Sequence, residues 1–447
     1  MTSVKDICEL VWDLESRFDL LDWEVCGVKI WQYLRMPVYF RIAQQTGVLD
    51  QPHTTAASTP DRLRSLPRCL YAAVRKDPLR GRERVDALVF EHERSKSVDG
   101  RRIDIYTHYL QQELRNQGVR FHTLERPYLG RHDKSDSPDR SYLDRLILNA
   151  SVRKRLMRVK VGSDARDLVQ LVENEILAHA GRPIELLPGF ERGIRHFKAT
   201  YQQYIRLLEK RRPSRIYLVV SYGQGELIKA AKDLGIETVE IQHGAFSRYH
   251  LGYSFPDRNA PLDYFPDTFY AWSDFWATMM PLPISKERIV NAGFPFMEQN
   301  RRRYRHVQRN TGQVLVLSQG SIGEKIAALV YQHRRSLEKY RIVYKLHPGE
   351  YDRWREYPSL AALVTQPNVR LCLDEDLYAL FAQSEYQMGV YSTAIYEGIE
   401  FGCRTVLLDL PGIEYMDHIR KRDDVCMFQQ FVRESSAAPT VAPSKLG

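Results

Sequence analysis

Lys345-Leu346-His347-Pro348 follows directly on the apolar run Ile342-Val343-Tyr344, the pattern of a buried strand emptying into a polar turn. Further along, a second apolar stretch runs into Tyr391-Ser392-Thr393, and 394–401 then reads as a helix. In an open α/β sheet such turns lie at the carboxyl ends of the strands, where ligands bind. The first amides of a helix after Ser392-Thr393 have no intrahelical partner, and the helix dipole is positive at that end. Both features favour an anion. Lys345, His347 and Pro348 on one turn, with the two hydroxyls on the other, therefore make a clamp for phosphate. The turn Ser318-Gln319-Gly320-Ser321, after a strand over 314–317, adds Ser318 and Gly320 to the nucleotide-binding set.

A proton acceptor has two candidates. Gln242-His243-Gly244 follows a strand over 238–241, and Gly244 lets backbone approach a ligand closely. His243 is either a base facing a cleft or a packed ring in a turn. The polar loop 91–100 follows a strand over 86–90, and in it His92 and Asp99, with Asp104 beyond, either face a ligand or are merely solvated. Gly223-Gln224-Gly225 lacks the third glycine and the later acid of a dinucleotide fingerprint, so it reads as a tight turn. Asp374-Glu375-Asp376 has the spacing of a metal-binding pair but reads as a helix N-cap cluster, and no metal site is expected.

These turns need parallel sheets to hold them. Strand and helix alternate over 85–300 and again over 313–433, which predicts an α/β protein of two Rossmann-like domains. The first would hold the acceptor and carries a helical insertion over 140–212; the second would bind the nucleotide. Residues 1–50 read as a helical extension. Its stretch 22–35 mixes aromatics with Lys29 and Arg35, and fits either a cap packed on the first domain or an interfacial membrane segment. Residues 51–84 read as a linker, 301–312 as a basic linker, and 434–447 as a disordered tail.

The chain has 447 residues and a net charge of +9, which favours anionic partners. No nucleic-acid-binding signature is present, so no nucleic-acid partner is expected. The six cysteines include no C-x-x-C pair, and a reducing cytoplasm fits that usage. Neither a signal-peptide core nor an 18-residue apolar run occurs, so the expected location is cytoplasmic, with the inner face of the membrane as a peripheral alternative.

Lys345-Leu346-His347-Pro348 resembles the K-x-H-P motif of bacterial sialyltransferases, capsule Kdo transferases and teichoic-acid polymerases. Ser392-Thr393 resembles the Ser-Ser/Thr motif that follows it in those families. Gln242-His243-Gly244 is similar to a His-Gly motif of the polymerases. Ala292-Gly293-Phe294-Pro295 resembles the G-x-P segment that closes the first domain of many GT-B proteins, and Glu397-Gly398 with Gly402 resembles the donor-contacting helix. The resemblance covers about residues 85–430 and implies the GT-B architecture. It implies that His347 and Ser392-Thr393 hold the donor phosphate, that Glu397 holds the ribose, and that His243 is a base or a phosphate contact. The acidic D/E-D/E-G motif of the sialyltransferases is only approached by Val98-Asp99-Gly100, so the base stands between His243 and Asp99. The implied activity is metal-independent transfer of a sugar from a CMP-, CDP- or UDP-linked donor to a surface polysaccharide or glycolipid, with no cofactor because the nucleotide sugar is a substrate. A sugar-nucleotide 2-epimerase and a non-catalytic polysaccharide assembly protein are the alternatives.

Overall fold

The computed structural model describes residues 3–437 apart from 50–58, 81–82, 94, 133, 135–136, 257, 259 and 280; of 59–66 only the backbone is described. The chain divides into two compact units, Lys5–Thr46 with Thr55–Phe296, and Met297–Gly447 with Thr2–Val4 and Gly47–Thr54. In chain order come α1 (Val4–Arg17), α2 (Ile30–Gln45), α3 (Thr59–Arg75), β1 (Ala87–Phe90), a hairpin of β2 (Lys96–Val98) and β3 (Arg101–Ile103), α4 (His108–Asn116), β4 (Phe121–Glu125) and β5 (Arg140–Tyr142). Then follow α5 (Asp144–Leu156), α6 (Ser163–Ala180), α7 (Leu187–Arg211), β6 (Arg215–Val219), α8 (Gly225–Asp233), β7 (Glu237–Ile241), β8 (Thr268–Ala271), α9 (Asp274–Met279) and β9 (Ile289–Asn291). After α10 (Pro295–Tyr304) come β10 (Asn310–Leu317), α11 (Gly323–Gln332), β11 (Arg341–Lys345), α12 (Pro358–Leu363), β12 (Val369–Cys372), α13 (Leu377–Gln383), β13 (Ser384–Gly389), α14 (Thr393–Glu400), β14 (Arg404–Leu407), β15 (Val425–Met427) and α15 (Phe428–Ala437).

The first unit's main sheet has the order β5-β4-β1-β6-β7-β8-β9, with every pair parallel. The second unit's sheet runs β12-β11-β10-β13-β14-β15, again all parallel. Each order steps outward one way and then reverses, giving a switch point between β1 and β6 and another between β10 and β13. At such points the loops leaving the strands diverge to opposite faces and open a crevice. These are the two Rossmann-like sheets that the GT-B resemblance implies.

The strands read as unbroken apolar runs because helices cover both faces. In β1, Ala87 and Val89 pack with Tyr217, Val219 and Val239 on one face, over Leu114 of α4. Leu88 and Phe90 join Ile216 and Leu218 on the other, under α5, α7 and α8. Successive residues thus feed opposite cores, as the pleat requires.

Several expected boundaries change. Within the stretch 51–84 expected as a linker, residues 59–75 are the helix α3, which packs on α5 and buries Ala72 and Ala73. Its Pro60 lies in the first turn, where a missing N–H is no loss; residues 51–58 lie outside the described residues. The basic stretch 301–312 is not a linker: α10 runs to Tyr304 and β10 begins at Asn310. There Arg309 donates to the carbonyls of Phe401 and Gly402 at the end of α14, a cation bonding a helix's last carbonyls. Of the expected tail, 434–437 closes α15, with Ser435 buried and bonded to Tyr340; 438–447 lie outside the described residues. Among the described residues no helix is long and apolar enough to cross a membrane.

The N-terminal helices are tied in by charge. Arg35 of α2 is buried and donates to both oxygens of Glu15 on α1, at 2.6 and 2.8 Å. Its remaining donors reach the carbonyls of Leu251 and Ser254, and its guanidinium lies 4.1 Å from the Phe255 ring centroid. Trp31 donates to the same Glu15 at 2.7 Å. Removing one partner of a buried pair leaves an uncompensated charge. We expect Arg35→Met to lose about 3–5 kcal/mol in urea denaturation, and Glu15→Met/Arg35→Met to recover part of it. A single variant within about 0.5 kcal/mol of wild type would show that the pair carries no such weight.

Candidate functional site

In the second unit Glu350 joins two of the turns. The His347 amide donates to Glu350 Oε2 at 2.9 Å, and the Gly349 amide donates to His347 Nδ1 at 3.1 Å. This is a reciprocal capping box with histidine in the place of serine, and Pro348 stands where its missing N–H costs nothing. Glu350 Oε1 accepts from the Ser318 hydroxyl at 2.9 Å, on the turn after β10. The carboxylate is fully buried, and burial raises its pKa against the pull of these donors. Gly323 makes room for it: a Cβ there would lie 1.7 Å from Glu350 Oε1. Gly320 lies against the imidazole, its Cβ position 3.2 Å from Nδ1. Because Nδ1 accepts, the neutral ring carries its proton on Nε2, which is a donor.

The turn after β13 is tied to the turn after β10 across the switch point. The Tyr391 amide donates to Gln319 Oε1 at 3.3 Å, and the Tyr391 hydroxyl lies 2.9 Å from Ser321 Oγ. Ser392 then caps α14, its Oγ accepting from the Ala394 amide at 3.1 Å, and Thr393 is the first helical residue. Ser318, Gly320, His347, Pro348, Ser392 and Thr393 thus belong to one bonded framework. Glu397 is buried one turn into α14 and accepts from the Tyr378 hydroxyl at 2.8 Å. Lys345 is held differently: its ammonium donates to the Leu373 carbonyl beyond β12 and lies 3.2 Å from the Tyr351 hydroxyl. Asp376 caps α13 at 2.9 Å from the Tyr378 amide, and Glu375 pairs with Arg370.

In the first unit Gln242 locks the ends of β7 and β8. Its side chain accepts from the Trp272 amide at 2.8 Å and donates to the Gly244 carbonyl at 2.8 Å; its own carbonyl accepts from Trp272 Nε1 at 2.9 Å. His243 follows, among the rings of Tyr106, Tyr222, Phe246 and Tyr253. Part of its surface stays accessible. Burial, then the nearby His92 and His250, hold its pKa well below the usual range, so the ring is neutral.

Behind His243 stands a relay. Its Nδ1 lies 3.4 Å from the Tyr253 hydroxyl, which also bonds Glu240. Glu240 is fully buried in β7; it accepts from the Ser221 amide at 3.0 Å, and its Oε2 has no hydrogen-bond partner among the described residues. Burial pushes this carboxyl up to about 7. The Ser221 amide follows Val220, whose φ of 65° puts a β-branched residue in the left-handed region. Above about pH 7 Glu240 is ionised and can only accept, so Tyr253 then donates to it. The Tyr253 oxygen can then only accept from His243 Nδ1–H, which leaves Nε2 with a bare lone pair.

Asp99 has a conformational role. Asp99 and Gly100, with φ of 48° and 76°, are the central residues of the β2–β3 hairpin, and Asp99 is exposed at its tip. Asp-Gly is the pair such a turn demands. Asp104 is buried and accepts from the His92 and Tyr106 amides at 2.8 and 3.0 Å and from the Thr107 hydroxyl at 2.8 Å, a clasp before α4. The His92 ring meets Tyr106 edge-on, at 5.5 Å between centroids.

Glu350, Glu240 and Tyr253 were not singled out by sequence. The spacing His347-Pro348-Gly349-Glu350 is a capping-box signal, and an acid inside the strand 238–241 is another; Tyr253 gives none.

No family model matches the chain, and no curated protein matches it. Solved structures similar to it include the UDP-GlcNAc 2-epimerase from Methanocaldococcus jannaschii, at 10% identity and TM-score 0.44 over 79% of this chain and 91% of that one. The glycosyltransferase SnogD from Streptomyces nogalater aligns at 13% identity and TM-score 0.35, over 73% and 81%. The catalytic domain of starch synthase IV from Arabidopsis thaliana, bound to ADP and acarbose, aligns at 10% and 0.38, over 80% and 93%. No functional conclusion rests on likenesses of this size.

A carboxyl at about 7, against an ordinary 4.5, keeps in the folded state a proton that the unfolded chain has lost. Its stabilising contribution is complete below 4.5 and is lost as pH rises through 7. His243 runs the other way, because a depressed base costs stability as pH falls below its ordinary value. Glu240→Gln removes the first effect and keeps the second. Between about pH 8 and pH 5, urea denaturation should show wild type gaining about 2–3 kcal/mol relative to the variant. A pH-independent difference would place this carboxyl at an ordinary value.

Proposed function

We propose that the chain is a nucleotide-sugar-dependent glycosyltransferase. The observation that carries this reading is the bonded framework at the β10/β13 switch point. There His347, with Nε2–H as its donor, and the Ser392-capped start of α14 are fixed by Glu350, Ser318 and Tyr391. Such donors suit a phosphate whose charge grows as the nucleotide leaves. Glu397 would hold the ribose, and Gly320 gives the imidazole its place. Lys345 would steady the turn from the β12 side and add charge at longer range.

The acceptor hydroxyl would lose its proton to His243 Nε2. Tyr253 and ionised Glu240 hold Nδ1–H in place and stabilise the imidazolium that forms. Asp99 is not assigned this role. The donor would be CMP-, CDP- or UDP-linked, and the acceptor a growing polysaccharide or glycolipid met at the cytoplasmic face of a membrane.

Incubation with CMP-, CDP-, UDP- and GDP-sugars should give slow nucleotide release with one of them. His347→Ala should weaken that nucleotide by about tenfold or more in calorimetry, as expected for one lost bond to a charged group. His243→Asn should cut turnover by about 10²–10⁴ while donor affinity stays within a few-fold. Interconversion of the sugar without transfer would make the protein an epimerase, and binding of glycan alone an assembly protein. Unchanged nucleotide affinity in His347→Ala would sink the clamp.

A further inference from the structure

A second charged feature lies on the first unit, outside the groups used above. Between α2, the end of α5 and the start of α7 runs a groove of about 660 Å³. Lys154 and Arg155 line it from α5, Arg192, Arg195 and His196 from α7, and Tyr33 from α2. Arg192 and Arg195 are three residues apart and so share one helix face.

None of these four Lys and Arg side chains forms an ion pair or hydrogen bond among the described residues. Their neighbours on α5 do: Arg145 bonds Asp77 and Arg153 bonds Gln202. The carboxylate beneath, Glu226, is buried and accepts from the Tyr33 hydroxyl at 2.6 Å, with His196 Nε2 at 3.6 Å. The His196 ring is held below its usual pKa by burial, and then by Lys154 of the groove and Arg126 outside it. The amides of Leu186 and Leu187 at the start of α7 are taken by Glu173, so an anion here would meet side chains rather than a helix end.

Like charges gathered around one concavity repel, and a bound anion removes that cost. The size suits a small molecule or a chain segment rather than a single ion. Arginine's planar fork also matches phosphate oxygens. We propose that this groove is a binding site for a phosphate-bearing ligand carrying two or more negative charges, held by Lys154, Arg155, Arg192 and Arg195. The proposal stands independently of the glycosyltransferase reading. Leu156 and Val152, beside Arg155, are 79% and 57% exposed, so the phosphate can come from a lipid headgroup as well as from a soluble molecule.

The test uses the full chain and two probes: tripolyphosphate in calorimetry, and sedimentation with phosphatidylcholine vesicles containing phosphatidylglycerol. Wild type is compared with Arg192→Gln/Arg195→Gln and with a control pair on α10, Arg302→Gln/Arg303→Gln, after thermal melts show all three folded. The groove variant should bind at least about tenfold more weakly, and the control within about twofold of wild type. Loss on tripolyphosphate assigns a soluble phosphate ligand, loss on vesicles alone a lipid headgroup, and loss on both a site that reads phosphate whatever carries it. No binding of either probe by wild type at low salt, or equal weakening in groove and control variants, would overturn the proposal.

Discussion

A carboxylate taken out of water must have its oxygens bonded or it destabilises the fold by several kcal/mol. Glu350 in the second unit and Glu240 in the first are buried acids at the strand ends; Glu350 has both oxygens bonded, while Glu240 keeps Oε2 without a partner among the described residues and has its pKa raised by burial instead. Glu350 draws the His347 amide and the Ser318 hydroxyl to itself, so the turns after β11 and β10 are held at one spacing. Glu240 draws the Ser221 amide and the Tyr253 hydroxyl, so the turn after β6 and the loop beyond β7 are held likewise. In each unit a histidine is the next group along. Its near nitrogen is committed by these bonds, and the far one is left with a single function. The two commitments are opposite: His347 shows a donor, His243 an acceptor. One residue type is thus given opposite hydrogen-bonding faces in the two units, the pairing that the proposed anion-binding and proton-accepting roles require, without any difference in the residue itself.

The sheets make this economical. A parallel strand order that reverses at β1/β6 and β10/β13 opens a crevice for polar turns at the strand ends. Behind that crevice the sheet is fixed by apolar residues on both faces, so the turns rest on a rigid base. Local strain can be carried there. Val220 in the left-handed region persists because β6 and α8 pin the chain on either side.

Much of the fold was legible because buried parallel strands are apolar on both faces and stand out as short runs between periodic helices. The turns at 318–320, 347–348 and 392–393, to which the proposed clamp is assigned, were visible as polar breaks after such runs. Contacts between distant residues were not legible. Nothing near Lys345 tells that its ammonium goes to Leu373, nor near His243 that Tyr253 will stand behind its ring. The hairpin position of Asp99 was not legible for a different reason. Asp-Gly between short polar strands is a hairpin signal, but β2 and β3 are too exposed to show the apolar alternation that marks a strand. The supposed linkers failed for a similar reason, since proline and basic residues fit a first turn or a helix end as well as a loop.

The bond from Arg35 to the carbonyls of Leu251 and Ser254 spans more than 200 positions, with separations of 216 and 219. A ribosome delivers the N-terminal helices long before it delivers those carbonyls. During that interval the Glu15–Arg35 pair lacks the groups that complete its shell, and the apolar faces of α1 and α2 lack the loop that covers them. High sequence separation slows closure, because the loop entropy is lost before the contact forms. The packing of the two N-terminal helices is therefore completed only once the stretch just after His243 has been made, with β8 and β9 of the same unit still to follow.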